Sequence, residues 1–201
     1  MKSLLKTKPS GNLGQKDRFA AAASVIFEAG MLSRVDRSGW NTIGIENPQN
    51  VSEHSFRVAV AGLILSRLEG LSKEQERQVL LGCILHDLSE TRIGDFNKIN
   101  KKYATAFHGK AYDDMLTPLG MGVLDDFLAC SGDASVAGVI NDADMIEMAA
   151  CALEYAKLGN PHAGKWVESA KKRIKTRSGE KLIRELCAAD PFKWAFDASG
   201  K

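Results

Sequence analysis

The sequence predicts an all-α fold, a single compact helical bundle. Apolar residues recur at three- and four-residue spacing along most of the chain. No segment alternates apolar and polar residues as a half-buried strand would. Glycines fall where the periodic stretches stop. At 201 residues, one domain with a substantial core is the expected organisation. The 27 Lys and Arg stand against 25 Asp and Glu, a net charge of +2. That balance argues against a nucleic-acid coat or a membrane surface. Cys83, Cys130, Cys151 and Cys187 show no CxxC spacing, and Cys83 and Cys151 fall in apolar helical stretches. A reduced, cytoplasmic protein is expected. The N-terminal apolar run is too short for a signal peptide, and no stretch is long enough to span a bilayer.

Residues 1–16, with Pro9, Gly11 and Gly14, read as a flexible lead-in, and residues 17–201 as the domain with a C-terminal helical extension. Asp17 opens a helix whose apolar set is Phe19, Ala23, Ile26 and Phe27, ending at Gly30. Residues 31–50 form a long irregular connection, a common setting for function. Asn50 followed by Glu53 resembles a capping box and starts a helix through Phe56, Val60, Leu63, Ile64 and Leu68. The next helix spans about 73–88 and carries Val79, Leu80, Cys83, Ile84 and Leu88. Gly94 breaks the pattern, and residues 95–110 read as loop or short helix. Short helices are expected over 113–119 and 124–130. Ser135 begins the clearest late helix, through Val136, Val139, Ile140, Met145 and Met148 to Leu158, stopped by Gly159-Asn160-Pro161. A last helix runs from Trp166, or separately from Ser178, toward Ala189, and the terminal DPFKWAF string is expected to dock on the body.

The helix 73–88 ends in Leu85-His86-Asp87. Imidazole nitrogen and carboxylate oxygen suit a first-row divalent metal, although the dipeptide alone is more often a helix-end histidine beside a solvated aspartate. Three neighbours add weight. His54 lies beside an apolar face, with Val58 and Ala61 one and two turns on. Asp144 sits between Ile140 and Met148, on an apolar stripe where a lone carboxylate is costly to bury. Asp142 is turned roughly 200° away around the same helix. Glu90 and Asp95 follow the dipeptide closely, placed to manage a proton. His108 and His162 lack ligand-like spacing and read as surface residues.

The order His54, then His86-Asp87, then Asp144 matches the H…HD…D signature of the HD-domain superfamily. The strings RSGW, ENPQNVSEHSFRVA, LHDLSETRIGD and DADMIEM resemble the branch that includes bacterial 5′-deoxynucleotidases and related eukaryotic and archaeal proteins. The resemblance covers roughly residues 18–160, and the DPFKW string resembles archaeal-type members. It implies an all-α HD-domain bundle with one divalent ion (Mn, Co, Zn, Ni, Fe or Mg) on His54, His86, Asp87 and Asp144. It implies hydrolysis of a phosphomonoester, typically a nucleoside 5′-monophosphate, with Glu90 and Asp95 as acid/base and water-positioning residues. The family's substrate-side arginine and tryptophan are adjacent, whereas Arg37 and Trp40 are separated here by Ser38-Gly39.

The expected function is therefore a metal-dependent phosphohydrolase acting on (deoxy)nucleoside 5′-monophosphates. Arg37 would grip phosphate, Trp40 would contact base or sugar or pack the loop, and Lys98, Lys101 and Lys102 would edge the mouth. A small nucleotide is the expected ligand, with no nucleic-acid or membrane partner and, from the resemblance, a homodimer. The alternatives are another HD-type phosphohydrolase (a nucleoside triphosphate hydrolase or a phosphodiesterase) and a non-catalytic nucleotide-binding regulator. A lone HD motif disfavours two-metal phosphodiesterases, and retention of all four ligands with Glu90 and Asp95 disfavours the regulator.

Overall fold

The structure, a computed structural model, describes residues 15–200. The lead-in expected over 1–16 lies outside the described residues apart from Gln15 and Lys16, which open the first helix. In chain order the helices are α1 (Gln15–Gly30), α2 (Ser38–Asn41), α3 (Val51–Leu68), α4 (Lys73–Leu85), α5 (Glu90–Ile93) and α6 (Asn100–Tyr103). They continue with α7 (His108–Leu116), α8 (Val123–Ala129), α9 (Ala134–Lys157), α10 (Gly164–Lys171), α11 (Arg177–Ala188) and α12 (Lys193–Ser199). Among the described residues there is no strand, only an isolated antiparallel bridge between Asp36 and Asn50. None of these helices is long and apolar enough to cross a membrane.

α9 is the central element, with α3, α4, α10 and α11 packed around it. Its apolar residues point in several directions, as a helix enclosed by others requires. The main core joins Val58, Leu65, Val79, Cys83, Val139, Met145, Ala149, Val167 and Ile183. A second cluster of Leu32, Val51, Leu88, Tyr112, Met115 and Leu116 lies under α1 and α7. Both expected starts hold: Asn50 with Glu53 and Ser72 with Gln75 form reciprocal capping boxes on α3 and α4. α3 and α4 approach closely at Gly62, where an added Cβ would lie 2.6 Å from Cys83 Sγ and 3.1 Å from Val79 Cγ1. Asp142 is fully buried and accepts from the backbone N–H groups of Lys175 (2.8 Å) and Thr176 (2.7 Å), which ties the entry of α11 to α9.

Several expectations need correction. The helix over 73–88 stops at Leu85, and His86 to Ser89 turn before α5. The region over 113–119 belongs to a helix that begins earlier, at His108, followed by a 3-10 turn. The large apolar residues named on α1 face outward: Phe19 and Ile26 are about 70% exposed, while Ala22, Val25 and Ala29 pack on the second cluster. The same holds on α3, where Phe56, Val60, Leu63, Ile64 and Leu68 form an outer stripe and Val58, Ala61, Gly62 and Leu65 face inward. The small residues win the inner face because they let helix axes come close. The terminal string meets the body through the half-buried Phe192 and an ion pair from Asp190 to Lys157 (2.7 Å); Trp194 and Phe196 on α12 are exposed. Trp166 and Ser178 belong to two helices, α10 and α11.

Candidate metal centre

Three segments converge at the middle of α9, around Asp144 and Glu147. His54 comes from the first turn of α3 and is fully buried. His86 and Asp87 follow the last turn of α4. Asp144 projects from α9. The capping box at Asn50 fixes where α3 begins and so which way His54 points. At the end of α4, the Tyr112 hydroxyl lies 2.8 Å from the Leu85 carbonyl and 2.5 Å from that of His86. It satisfies carbonyls that a helix end otherwise leaves bare.

Each imidazole is held by its Nδ1 atom. His54 Nδ1 hydrogen-bonds the Glu147 carboxylate. His86 Nδ1 lies 2.8 Å from the Cys83 carbonyl, which can only accept. A proton held at Nδ1 leaves the Nε2 lone pair free, and the two Nε2 atoms face each other at 3.3 Å. Asp87 Oδ2 lies 3.1 Å from His86 Nε2 and 3.5 Å from His54 Nε2. His54, His86 and Asp87 offer donor atoms all within 4.8 Å of one another. Asp144 joins from the side of His54, its Oδ1 3.5 Å from His54 Nε2.

These donor separations fit a metal. Ligands at ~2.1 Å from one ion sit ~3.0–3.4 Å apart in octahedral or tetrahedral arrangements. Two imidazole nitrogens and carboxylate oxygens form a mixed donor set that suits Mn, Fe, Co, Ni or Zn. The electrostatics agree. Burial opposes charge on His86, yet the adjacent Asp87 outweighs it and raises the imidazole to about 9. Burial likewise opposes ionisation of Asp87, but His86, His54 and Arg37 hold it well below the ordinary carboxylate range. The pair attracts positive charge, and a divalent ion would displace the His86 proton.

The remaining predicted residues surround a cleft of about 490 Å³. Arg37 Nη1 pairs with Asp87 Oδ2 at 3.2 Å. Glu90 opens α5 and is buried, with Oε2 lacking a hydrogen-bond partner among the described residues. Burial, Asp87 and Asp95 together push it up to about 9. Gly94 takes a left-handed φ of 75°, the turn that returns Asp95 to the cleft. Asp95 Oδ2 accepts from the Ser38 N–H (2.6 Å) and Ser38 Oγ (3.2 Å), tying its loop to the turn that carries Arg37. Trp40 is only 2% exposed and packs against Tyr155 and Trp166, so it backs the cleft wall. Its buried Nε1 also has no hydrogen-bond partner among the described residues. Lys98 and Lys101 line the cleft, whereas Lys102 is not among its lining residues.

Two histidines complete the account. His162 is exposed, as expected. His108 is not a plain surface residue: it is half-buried, its Nδ1 2.9 Å from the buried Ser89 Oγ. Sequence reasoning missed Glu147, one turn beyond Asp144 and 2% exposed. Burial opposes its ionisation, but bonds from His54 and Gln49 and the charge of Arg57 outweigh that and hold it below the usual range. Gln49 Nε2 donates to Glu147 Oε1 at 2.6 Å, and Arg57 Nε lies 3.4 Å from the same oxygen. The signal for Glu147 was present in the sequence as a second carboxylate between apolar neighbours on α9.

A family model described as HD domain matches residues 29–186. The chain is 28% identical over 147 residues to the Dictyostelium discoideum protein named 5′-deoxynucleotidase HDDC2, covering 66% of this chain and 75% of that one. It is 29% identical over 143 residues to the Danio rerio protein of the same name, covering 66% and 68%. Among solved structures, a conserved hypothetical protein from Pyrococcus furiosus superposes with a TM-score of 0.71 at 27% identity, covering 83% of this chain and 99% of that one.

Glu147→Gln tests how His54 is held. It should fold normally and lower metal affinity by ~10–100-fold, because the charge that orients and polarises His54 is lost. Competition titration with a metal chelator measures this, and affinity equal to wild type would reduce Glu147 to a packing role.

Proposed function

This chain belongs to the HD-domain family, and on that premise we propose that it is a metal-dependent hydrolase releasing phosphate from deoxynucleoside 5′-monophosphates. One observation carries the reading: His54, His86 and Asp87 converge beside Arg37 and a buried, unpartnered Glu90 oxygen. The names of the Dictyostelium and zebrafish relatives supply the substrate class.

In this reading one divalent ion sits on His54, His86, Asp87 and Asp144. It supplies Lewis acidity toward water and phosphate oxygens when bound. Arg37, fixed by Asp87, offers its remaining N–H donors to the phosphate. Glu90, raised by burial and by its acidic neighbours, holds a proton to give to the departing 5′-oxygen. Asp95 positions Arg37 through Ser38. The wall of Trp40, Met145, Met148 and Trp166 receives the nucleoside.

We also infer a homodimer and a cytoplasmic location. The outer apolar stripe of Phe56, Val60, Ile64 and Leu68 on α3 supports pairing with a second copy. The unpaired Cys83, Cys130, Cys151 and Cys187 support a reducing compartment. Light scattering at micromolar concentration should give twice the chain mass; a monomer would reject the pairing.

The chemical test uses phosphate release from a panel of deoxynucleoside 5′-monophosphates, with Mn, Co, Mg and Zn each supplied. Glu90→Gln should keep its fold and metal and lose ~10²–10⁴-fold in kcat. Asp95→Asn should also raise KM, because the Arg37 turn loosens. Near-wild-type kcat in both variants, or no release from any monophosphate by the native protein, would contradict the proposal.

A further inference from the structure

The cleft has two electrically distinct ends. Its inner end carries the buried Glu90 and the part-buried Asp87, Asp95 and Asp144, neutralised in part by Arg37. Its exposed mouth carries Lys98, Lys101, Lys165 and Arg173. None of these four cations has an acidic partner among the described residues, whereas nearby Lys171 pairs with Glu168 at 2.9 Å.

The backbones that bear three of them are fixed. The Asn97 side chain accepts from the N–H groups of Ile99 (2.8 Å) and Asn100 (3.2 Å), which braces the turn around Lys98. Lys98 Nζ reaches Ser169 Oγ on α10 at 2.9 Å. Lys165 precedes Trp166, whose ring lies 5.4 Å from that of Trp40. The Arg173 carbonyl accepts from Asn141 on α9 at 2.9 Å, while its side chain stays exposed. Lys98 keeps further N–H donors beyond its bond to Ser169, and the exposed side chains of Lys165 and Arg173 can turn to the same anion.

A 5′-phosphate at the floor is already matched by Arg37 and the proposed ion. The mouth cations therefore exceed what a monophosphate needs, and like charges crowded at one rim repel unless an anion joins them. In a deoxynucleoside the 3′-oxygen is the remaining sugar position that carries phosphate. We propose that Lys98, Lys165 and Arg173 form a second anion subsite that takes a 3′-phosphate, making nucleoside 3′,5′-bisphosphates a favoured substrate class. The inference rests on the nucleotidase reading above. Hydrolysis breaks the bond from phosphorus to O5′, a water oxygen replaces it, and a proton passes to O5′. The products are a nucleoside 3′-monophosphate and inorganic phosphate.

The test compares thymidine 5′-monophosphate, thymidine 3′,5′-bisphosphate and a 5′-phosphorylated thymidine dinucleotide, using the metal-loaded full chain at low and high ionic strength. The bisphosphate should have a kcat/KM about 10-fold higher than the monophosphate, chiefly through KM, and the gain should shrink with salt. The variant K98A/K165A/R173A should erase that gain and leave the monophosphate within about two-fold. Its melting curve checks that it folds, and the single variants K165Q and R173Q should each remove part of the gain. Equal rates for the two nucleotides would overturn the subsite. So would an equal loss on both in the triple variant, which would mean general steering. A gain for the dinucleotide alone would point to a nucleic-acid end and would also overturn it. Failure to hydrolyse the monophosphate counts against the nucleotidase reading instead. Calorimetric binding of both nucleotides to Glu90→Gln needs no turnover and then decides the subsite, with about 10-fold tighter bisphosphate binding expected and equal binding contradicting it.

Discussion

The structure depends on holding two imidazole rings by their Nδ1 atoms, so that their Nε2 atoms meet across 3.3 Å. His86 achieves this locally, through the Cys83 carbonyl one turn back on its own helix. His54 needs a partner from α9, the buried carboxylate of Glu147. That pair sits in the interior only because α3 lies against α9 and because Gln49 and Arg57 supply further donors. A buried carboxylate without them would cost several kcal/mol. Gly62 belongs to the same constraint, since a side chain there would push α4, and with it His86, away from α3.

The floor of the cleft sacrifices stability for chemistry. Asp87, Glu90, Asp95 and Asp144 line one small space, where like charges cannot all ionise freely. Arg37 and His86 offset part of this, and Glu90 absorbs the rest by keeping its proton up to about 9. Folding thus favours the protonated form of Glu90. Its contribution to stability is present at the ordinary glutamate range and below, and is lost as pH rises toward that raised value. The same crowding gives the site a buried acid in the cleft that Arg37 also lines.

Much of this was legible from residues close in sequence. The capping box at Asn50 read correctly because its partner, Glu53, lies three positions away. Asp144 was separable from Asp142 by helical period alone, and the structure places Asp142 on the far side, capping the turn before α11. Gly94 and Asp95 behaved as a permissive turn followed by a returning carboxylate. What failed needed tertiary knowledge. α1 and α3 each carry two apolar faces, and hydrophobicity alone chose the one with larger side chains, which turned outward. Glu147 was overlooked although the burial argument used for Asp144 applies to it equally. Lys165 of α10 and Arg173 just after it reach the mouth through the packing of α10 on α9, which no spacing announces.

His54, His86, Asp87 and Asp144 are proposed to surround one divalent ion. Anomalous diffraction from crystals grown with Mn, with data collected on either side of the metal absorption edge, tests this most directly. A single anomalous peak per chain is expected, ~2.0–2.3 Å from Nε2 of both histidines and from a carboxylate oxygen of each aspartate. A peak elsewhere, or a centre at which Asp144 stands apart while other residues complete the coordination, would contradict it.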